Sequence, residues 1–249
     1  MSRWLFPLFF SVLALVPSSC IKEDRDSCPC VLVISTEGSE ELCSVYLSRE
    51  EEPVTDSLRT GVEYRRPVSR GFLYATVALG DGETFVHGKG IVIPKGEDCP
   101  PVRLWSRPVK AVGETVSRKA VLSKDYCLVR MRLVPSGGGL EFTVRGDIAG
   151  FDLDGSPAEG EFECTPRASE DGFLEFRLPR QTDNSLLMDV FSDGVLLRTF
   201  ALGEILFRAG YSWKDKDLKD ISMEVSCTAS VLLTDFSIWE NVENREILL

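Results

Sequence analysis

The residues that could carry chemistry are few, and their spacing argues against catalysis. His87 is the one histidine, so a nucleophile, histidine and acid triad would have to be built on it. It stands in "FVHGKG", a strand-like run ending in glycines, which is the setting of a half-exposed structural histidine. The stretch "DLDGSPAEGEFE" puts Asp152, Asp154, Ser156 and Glu163 at positions 1, 3, 5 and 12 of a calcium loop. Position 6 of such a loop must be the glycine that makes the sharp turn; here it is Pro157, and strand-like sequence flanks the segment, so it reads as a hairpin loop. There is no phosphate-binding glycine loop, no dinucleotide fingerprint and no zinc-protease motif. The chain reads as a non-enzyme with no cofactor, no metal and no small-molecule substrate.

Eight cysteines are the other reactive groups. Cys43, Cys127, Cys164 and Cys227 alternate with apolar neighbours at strand spacing, as Cys127 does with Val129, Met131 and Leu133, and are read as small core residues. Cys28, Cys30 and Cys99 lie instead in polar, proline-marked segments, "DSCPC" and "EDCPP". If one disulfide forms, Cys28 or Cys30 to Cys99 is the pairing to expect, tying the N-terminal segment to the first domain. Cys-Pro-Cys has the wrong spacing for a zinc knuckle, and no second pair follows it.

Cys20 is a different case. It follows Arg3, an apolar block from Trp4 to Val16, the helix breaker Pro17 and the small residues Ser18 and Ser19. The block is shorter than the roughly 20 residues of a spanning helix and suits the core of a secretory signal. A cysteine directly after such a core resembles the bacterial lipoprotein signal, in which the thiol is acylated and becomes the first residue of the mature chain. Residues 1–19 are then the signal peptide and Cys20 the lipid attachment site, with acyl chains contributing about 0.8 kcal/mol per buried methylene. A cut near Ser19 that releases a soluble secreted protein is the alternative. The charged run after Cys20 cannot bury itself and makes residues 20–29 an acidic tether. Within it Lys22, Glu23 and Asp24 resemble the signal that sends Bacteroidetes lipoproteins to the outer face of the outer membrane.

The elements behind these residues are strands. Period-two alternation recurs in "CVLVIST" (30–36), "LCSVYLS" (42–48), "GFLYATVAL" (71–79), "TFVHGKGIVI" (84–93), "YCLVRMRLV" (126–134), "LEFTVRG" (140–146), "GFLEFRL" (172–178) and "LLMDVF" (186–191), separated by turn signals such as "PSGGG" and "SDG". The fold class is all-β, with two sandwiches expected at 30–112 and 113–249, divided in the polar segment "VKAVGETVSRK". "FALGEILFRAG" is the one helical piece, with Leu202, Ile205, Leu206 and Ala209 at helix spacing and Gly210 as its C-terminal cap. "SVLLTDFSIW" reads as a final strand, Ser230 to Trp239, that closes its own sheet with a bulge near Asp235; the tail "ENVENREILL" has too few apolar plugs to be more than a weak donor strand. A net charge of −11 excludes a nucleic-acid partner, since nothing is present to neutralise a run of phosphates.

Three segments in this order, "CIKEDRDSCPC", "VIPKGEDCPPVRLW" (92–105) and "GYSWKDKDLKDISMEVSC" (210–227) running toward "SVLLTDFSIW", resemble the FimB-type fimbrial anchor lipoproteins of Bacteroidetes type V fimbriae. The resemblance implies two tandem transthyretin-like β-sandwich domains. It also implies a role: a subunit lipid-anchored in the outer membrane, exposed at the cell surface at the base of the fimbrium, that holds the fibre and terminates its growth. Its partners would be stalk subunits, met through β-strand donation. The rival reading is a surface glycan-binding lipoprotein, which would set aromatics such as Trp105, Trp213 or Trp239 on an exposed face.

Overall fold

The structure is a computed structural model that describes residues 28–38, 40–48, 54–80, 85–86, 90–134, 139–167, 169, 172–227, 233–240 and 243–248. In chain order the elements are β1 (Cys30–Thr36), β2 (Leu42–Ser48), β3 (Val54–Arg59), β4 (Tyr64–Val68), β5 (Gly71–Leu79), β6 (Phe85–Val86), β7 (Gly90–Val92), β8 (Arg103–Ala111), β9 (Thr115–Ala120), β10 (Ser123–Lys124), β11 (Tyr126–Val134), β12 (Leu140–Phe151), β13 (Pro157–Cys164), β14 (Phe173–Pro179), β15 (Leu187–Ser192), β16 (Val195–Phe200), α1 (Leu202–Arg208), β17 (Ile221–Cys227), β18 (Leu233–Glu240) and β19 (Glu243–Leu248). The fold is an all-β sandwich, as the alternation predicted. No helix among the described residues is long and apolar enough to cross a membrane.

The alternating residues do what a pleated strand requires. On β11, Cys127, Val129 and Met131 are fully buried while Arg130 and Arg132 face solvent. Two cores result. In the first, Leu32, Ile34, Val45, Ala75, Val77, Trp105 and Val109 are shared between a sheet of order β4-β1-β9 and one of order β10-β8-β5-β2-β3. In the second, Met131, Phe142, Val144, Phe151, Leu174, Phe176 and Met188 lie between a sheet of order β14-β11-β17-β18-β19 and one of order β16-β15-β12-β7-β6, with β13 also paired to β12. Each large apolar side chain so buried contributes about 1.5–3 kcal/mol.

The division expected at 112/113 is offset from these sheets. β9 lies beyond it but pairs with β1 in parallel, from Val31 opposite Thr115 to Thr36 opposite Ala120, and its Val116 and Ala120 belong to the first core. β7 lies before it but pairs with β12, and Ile91, Ile93, Cys99 and Val102 belong to the second core. The chain therefore passes between the cores more than once. The segment "VKAVGETVSRK" reads as a linker because an edge strand with one solvated face is mostly polar.

The helix forms where expected, over Leu202–Arg208. Gly210 takes φ 86° and its N–H closes the last turn on Phe207 O at 2.9 Å. Gly203 has a different duty: a Cβ there would sit 2.4 Å from Asn184 O, so only glycine lets α1 lie against that backbone. In the "TFVHGKGIVI" region β6 and β7 form a short antiparallel pair; His87 between them is outside the described residues. β18 pairs with β17, and its register steps three residues, Leu233 to Phe236, against two on β17, Val225 to Cys227. That is a bulge beside Asp235, where the change of apolar phase placed it. The tail, expected to be a weak donor, pairs instead with its own β18, from Glu240 opposite Glu243 to Asp235 opposite Leu248.

Candidate docking surfaces and the junction between the cores

Cys20, Lys22, Glu23 and Asp24 lie outside the described residues. Where description begins, Cys28 is exposed and its carbonyl accepts a hydrogen bond from Arg70 Nε at 3.0 Å. Two residues on, Cys30 is buried at the start of β1. A tether preceding Cys28 is thus delivered to one end of an interior strand of the first core.

The expected bond from Cys28 or Cys30 to Cys99 is not formed: all three are free thiols. Cys30 belongs to the first core and Cys99 to the second. Cys99 is turned inward because "EDCPP" is no free loop but a strap across the edges of β13 and β14. Gly96 N–H donates to Glu163 O at 2.8 Å, Cys99 N–H donates to Arg177 O at 2.9 Å, and Arg177 Nε donates to Cys99 O at 2.7 Å. Arg177 also pairs with Asp98 at 3.1 Å, and Lys95 with Glu163 at 3.2 Å.

The remaining described thiols are inert core groups. Burial, reinforced by Glu41, pushes the Cys43 thiol up to about 11. Burial pushes Cys127 and Cys164 up to about 12 and raises Cys99 as well. No cluster of metal-ligating side chains occurs among the described residues. Asp152 to Ser156 form the hairpin turn between β12 and β13, closed by Asp152 N–H to Ser156 O at 2.8 Å and capped by Ser156 N–H to Asp154 Oδ1 at 3.0 Å. This turn also touches the face of β5 turned away from the first core: Leu153 O accepts a 2.5 Å bond from the Thr76 hydroxyl.

A dense polar network lies where the chain passes into β11, and no sequence motif announces it. Arg180, just after β14, pairs through Nε with Asp125 Oδ1 at 2.7 Å, with only 16% and 12% of the two side chains exposed. Its remaining donors reach the carbonyl oxygens of Trp213, Asp215 at 2.8 Å and Lys216 at 3.0 Å. Asp217 Oδ1 accepts from Lys124 N–H at 2.8 Å, and Asp220 Oδ1 accepts from Leu128 N–H at 2.9 Å and from the Lys124 ammonium. The charged segment "WKDKDLKD" is therefore a clasp: its carbonyls hold Arg180 and its carboxylates hold the start of β11. The sequence signal was its density of Asp and Lys between a helix and a strand, which alone also fits a solvated loop.

Sheet edges are the surfaces a partner strand could use. β4 is blunted by Arg65, Arg66 and Pro67, and β9 carries Arg118 and Lys119. β16 differs. It edges its sheet, follows a two-residue turn with Asp193 and Gly194 at φ 48° and 73°, and exposes Val195 by 64% and Leu196 by 51%. As for aromatic faces, Trp105 and Trp213 are buried in the cores, and Trp213 packs edge-to-face on Tyr211 with ring centres 4.8 Å apart. Of Trp239 only the backbone is described. Phe72 and Tyr74, two residues apart on the outer face of β5, are exposed by 71% and 45%.

No protein-family model matches the chain, and no curated protein matches it in sequence. Its fold is shared with solved structures. A candidate polysaccharide-binding protein from Bacteroides thetaiotaomicron VPI-5482 matches with a TM-score of 0.64 at 10% identity, covering 88% of this chain and 98% of that one. The fimbrial anchor protein Mfa2 from Porphyromonas gingivalis matches with a TM-score of 0.63 at 11% identity, covering 87% of this chain and 99% of that one. A candidate adhesin from Bacteroides ovatus matches with a TM-score of 0.61 at 10% identity, covering 91% and 97%.

Proposed function

We propose that this chain is the surface anchor of a fimbria. Acylated at Cys20 and sent outward by Lys22, Glu23 and Asp24, it sits in the outer membrane at the fibre's base as two tandem transthyretin-like domains. It holds a stalk subunit by strand contact and ends fibre growth. What supports this reading is the course of the chain: a signal-like sequence over residues 1–19 ahead of Cys20, a short charged run, and then a two-core sandwich of the same fold as a fimbrial anchor. β16 supports it further, because a sheet edge bearing exposed Val195 and Leu196 is a liability unless a partner covers it. The contact is assigned to that edge, where a partner's main chain would extend the ladder and its apolar side chains would lie beside Val195 and Leu196.

The test is affinity capture of the tagged full chain from intact cells. Fimbrial subunits should come with it, Leu196→Lys should lose them while leaving the chain folded and at the surface, and Cys20→Ala should release both chain and fibres into the medium. A surface-exposed chain that captures no fimbrial subunit would overturn the reading. Phe72 and Tyr74 favour a second one, a glycan-binding lipoprotein, because two exposed aromatic rings on one strand face could stack on sugar rings. Glycan binding that is lost in Phe72→Ala and Tyr74→Ala, without fimbrial capture, would select it.

A further inference from the structure

Each core holds one parallel pair between strands far apart in the chain: β1 with β9 in the first, and β11 with β17 in the second. β1 and β9 are in register over six pairs, Val31 to Thr36 against Thr115 to Ala120. β11 and β17 are likewise in register over six, Val129 to Val134 against Ile221 to Ser226. The earlier strand of each pair is also interior, since β1 has β4 on its other side over five pairs and β11 has β14 over seven. Parallel partners put the chain's way in and way out at opposite ends of the pair, whereas hairpin partners put them at the same end. Tension along the chain therefore slides β1 against β9, stretching their hydrogen bonds together. Tension on a hairpin opens its bonds one by one.

We infer that β1–β9 is a mechanical clamp: it makes this chain resist unfolding when pulled from its N-terminal end against its second core. The proposal rests on the anchoring role for the load it would bear, a membrane tether below and a fibre above. Other features fit that load path. The Arg180 clasp holds the chain immediately after β10, so force leaving β9 passes into a braced segment instead of a slack linker. Leu218 N–H donates to Lys124 O at 3.0 Å, tying the approach to β17 to the approach to β11. Resistance to pulling is set by the unfolding barrier and not by equilibrium stability, so strand geometry can raise it without a larger core.

The experiment is single-molecule force spectroscopy on the full chain in detergent, with bio-orthogonal handles in two placements. Handles at residues 28 and 249 pull β1 and β9 past each other. Handles at residues 28 and 112 lie at one end of the same pair, where Val31 N–H meets Glu114 O at 2.8 Å, and peel it. Events are assigned to a core by the length released, about 3.3–3.6 Å per residue. The first core should open at a several-fold higher force in the first placement. Since Val31 N–H faces Glu114 O, parallel pairing directs the N–H groups of Val116 and Arg118 toward β1 and that of Ser117 away from it. Arg118→Pro should therefore lower the first force to the level of the second, and Ser117→Pro should leave it high. Equal forces in the two placements on the unsubstituted chain would overturn the clamp even if Arg118→Pro fails to fold. They would do so whatever the chain captures from cells, while failed capture with the force difference intact would remove the fibre and leave the clamp.

Discussion

Replacing Arg180 with methionine keeps most of the side chain's length and removes its charge. Asp125 is then left 8% exposed and without the guanidinium that lies 2.7 Å from it. Breaking a buried pair from one side costs about 3–5 kcal/mol, because the stranded charge keeps its desolvation penalty without its partner. For a chain of this size that is a fall in Tm of about 6–20 °C. The loss should depend on pH. Burial already raises the Asp125 carboxyl above its usual range while the hydrogen bond and charge of Arg180 oppose that rise. Without Arg180 the folded chain binds the proton more tightly than the unfolded chain, so the variant's stability rises as pH falls from 7 toward the carboxylate's unfolded value of about 4. The double variant with Asp125→Leu should recover most of the loss and abolish its pH dependence. Urea unfolding of the four chains of this cycle at pH 7 and pH 5 is the assay. A loss below about 1 kcal/mol for Arg180→Met, or one independent of pH, would refute the view that the clasp is a buried, mutually dependent pair.

Gly203→Ala drives a Cβ to 2.4 Å from Asn184 O and should cost at least about 1–3 kcal/mol by thermal denaturation, since backbone and not a flexible side chain stands in the way. Asp189 is held below the usual carboxylate range: burial alone would raise it, but hydrogen bonds from Arg145 Nε at 2.7 Å and the Thr199 hydroxyl at 2.6 Å outweigh that. Its contribution is present above about pH 4 and is lost as pH falls through the depressed value, so Asp189→Asn should flatten the acid limb of a stability curve against pH. Maleimide labelling mapped by peptide mass should modify Cys28 in the native chain and leave Cys43, Cys99, Cys127 and Cys164 untouched until denaturant is added.

Strands with two contrasting faces were legible in advance. "YCLVRMRLV" buries one set of side chains and can be read from period alone, "CVLVIST" follows the same period while also burying Val33, and the helix announced itself by its spacing and Gly210. Edge strands that bury little were not, although β14, an edge with a well-buried face, was. β3, β4, β9, β13 and β16 bury few residues each, as the single fully buried Leu58 of β3 illustrates, so their sequences resemble loops and the boundary drawn through "VKAVGETVSRK" cut β9 from its core. Cys99 was misjudged for a related reason: its polar, proline-rich neighbours describe a strap running over sheet edges, and only the sheets reveal that the thiol points inward. Arg180 could not be singled out at all, because its partners are mainly backbone carbonyls more than thirty positions away, and a carbonyl has no letter in a sequence.

The exchange of strands across the nominal boundary bears on how the protein is made. A chain threaded outward from its N-terminus delivers β1 long before β9, and β7 before β12, so each early strand waits for a partner yet to emerge. When β8 has appeared, the first core still lacks one flank of β1, and Ile91, Ile93 and Val102 hang from it as apolar groups belonging to a core that does not yet exist. Neither half can finish alone, and the newborn polypeptide has sticky strands uncovered until its later strands arrive, a state prone to mispairing with its neighbours. If the chain is exported as proposed, it should need chaperone custody until its last third arrives, and a chain cut short near residue 112 should be cleared by proteases instead of surviving as a half-sized domain.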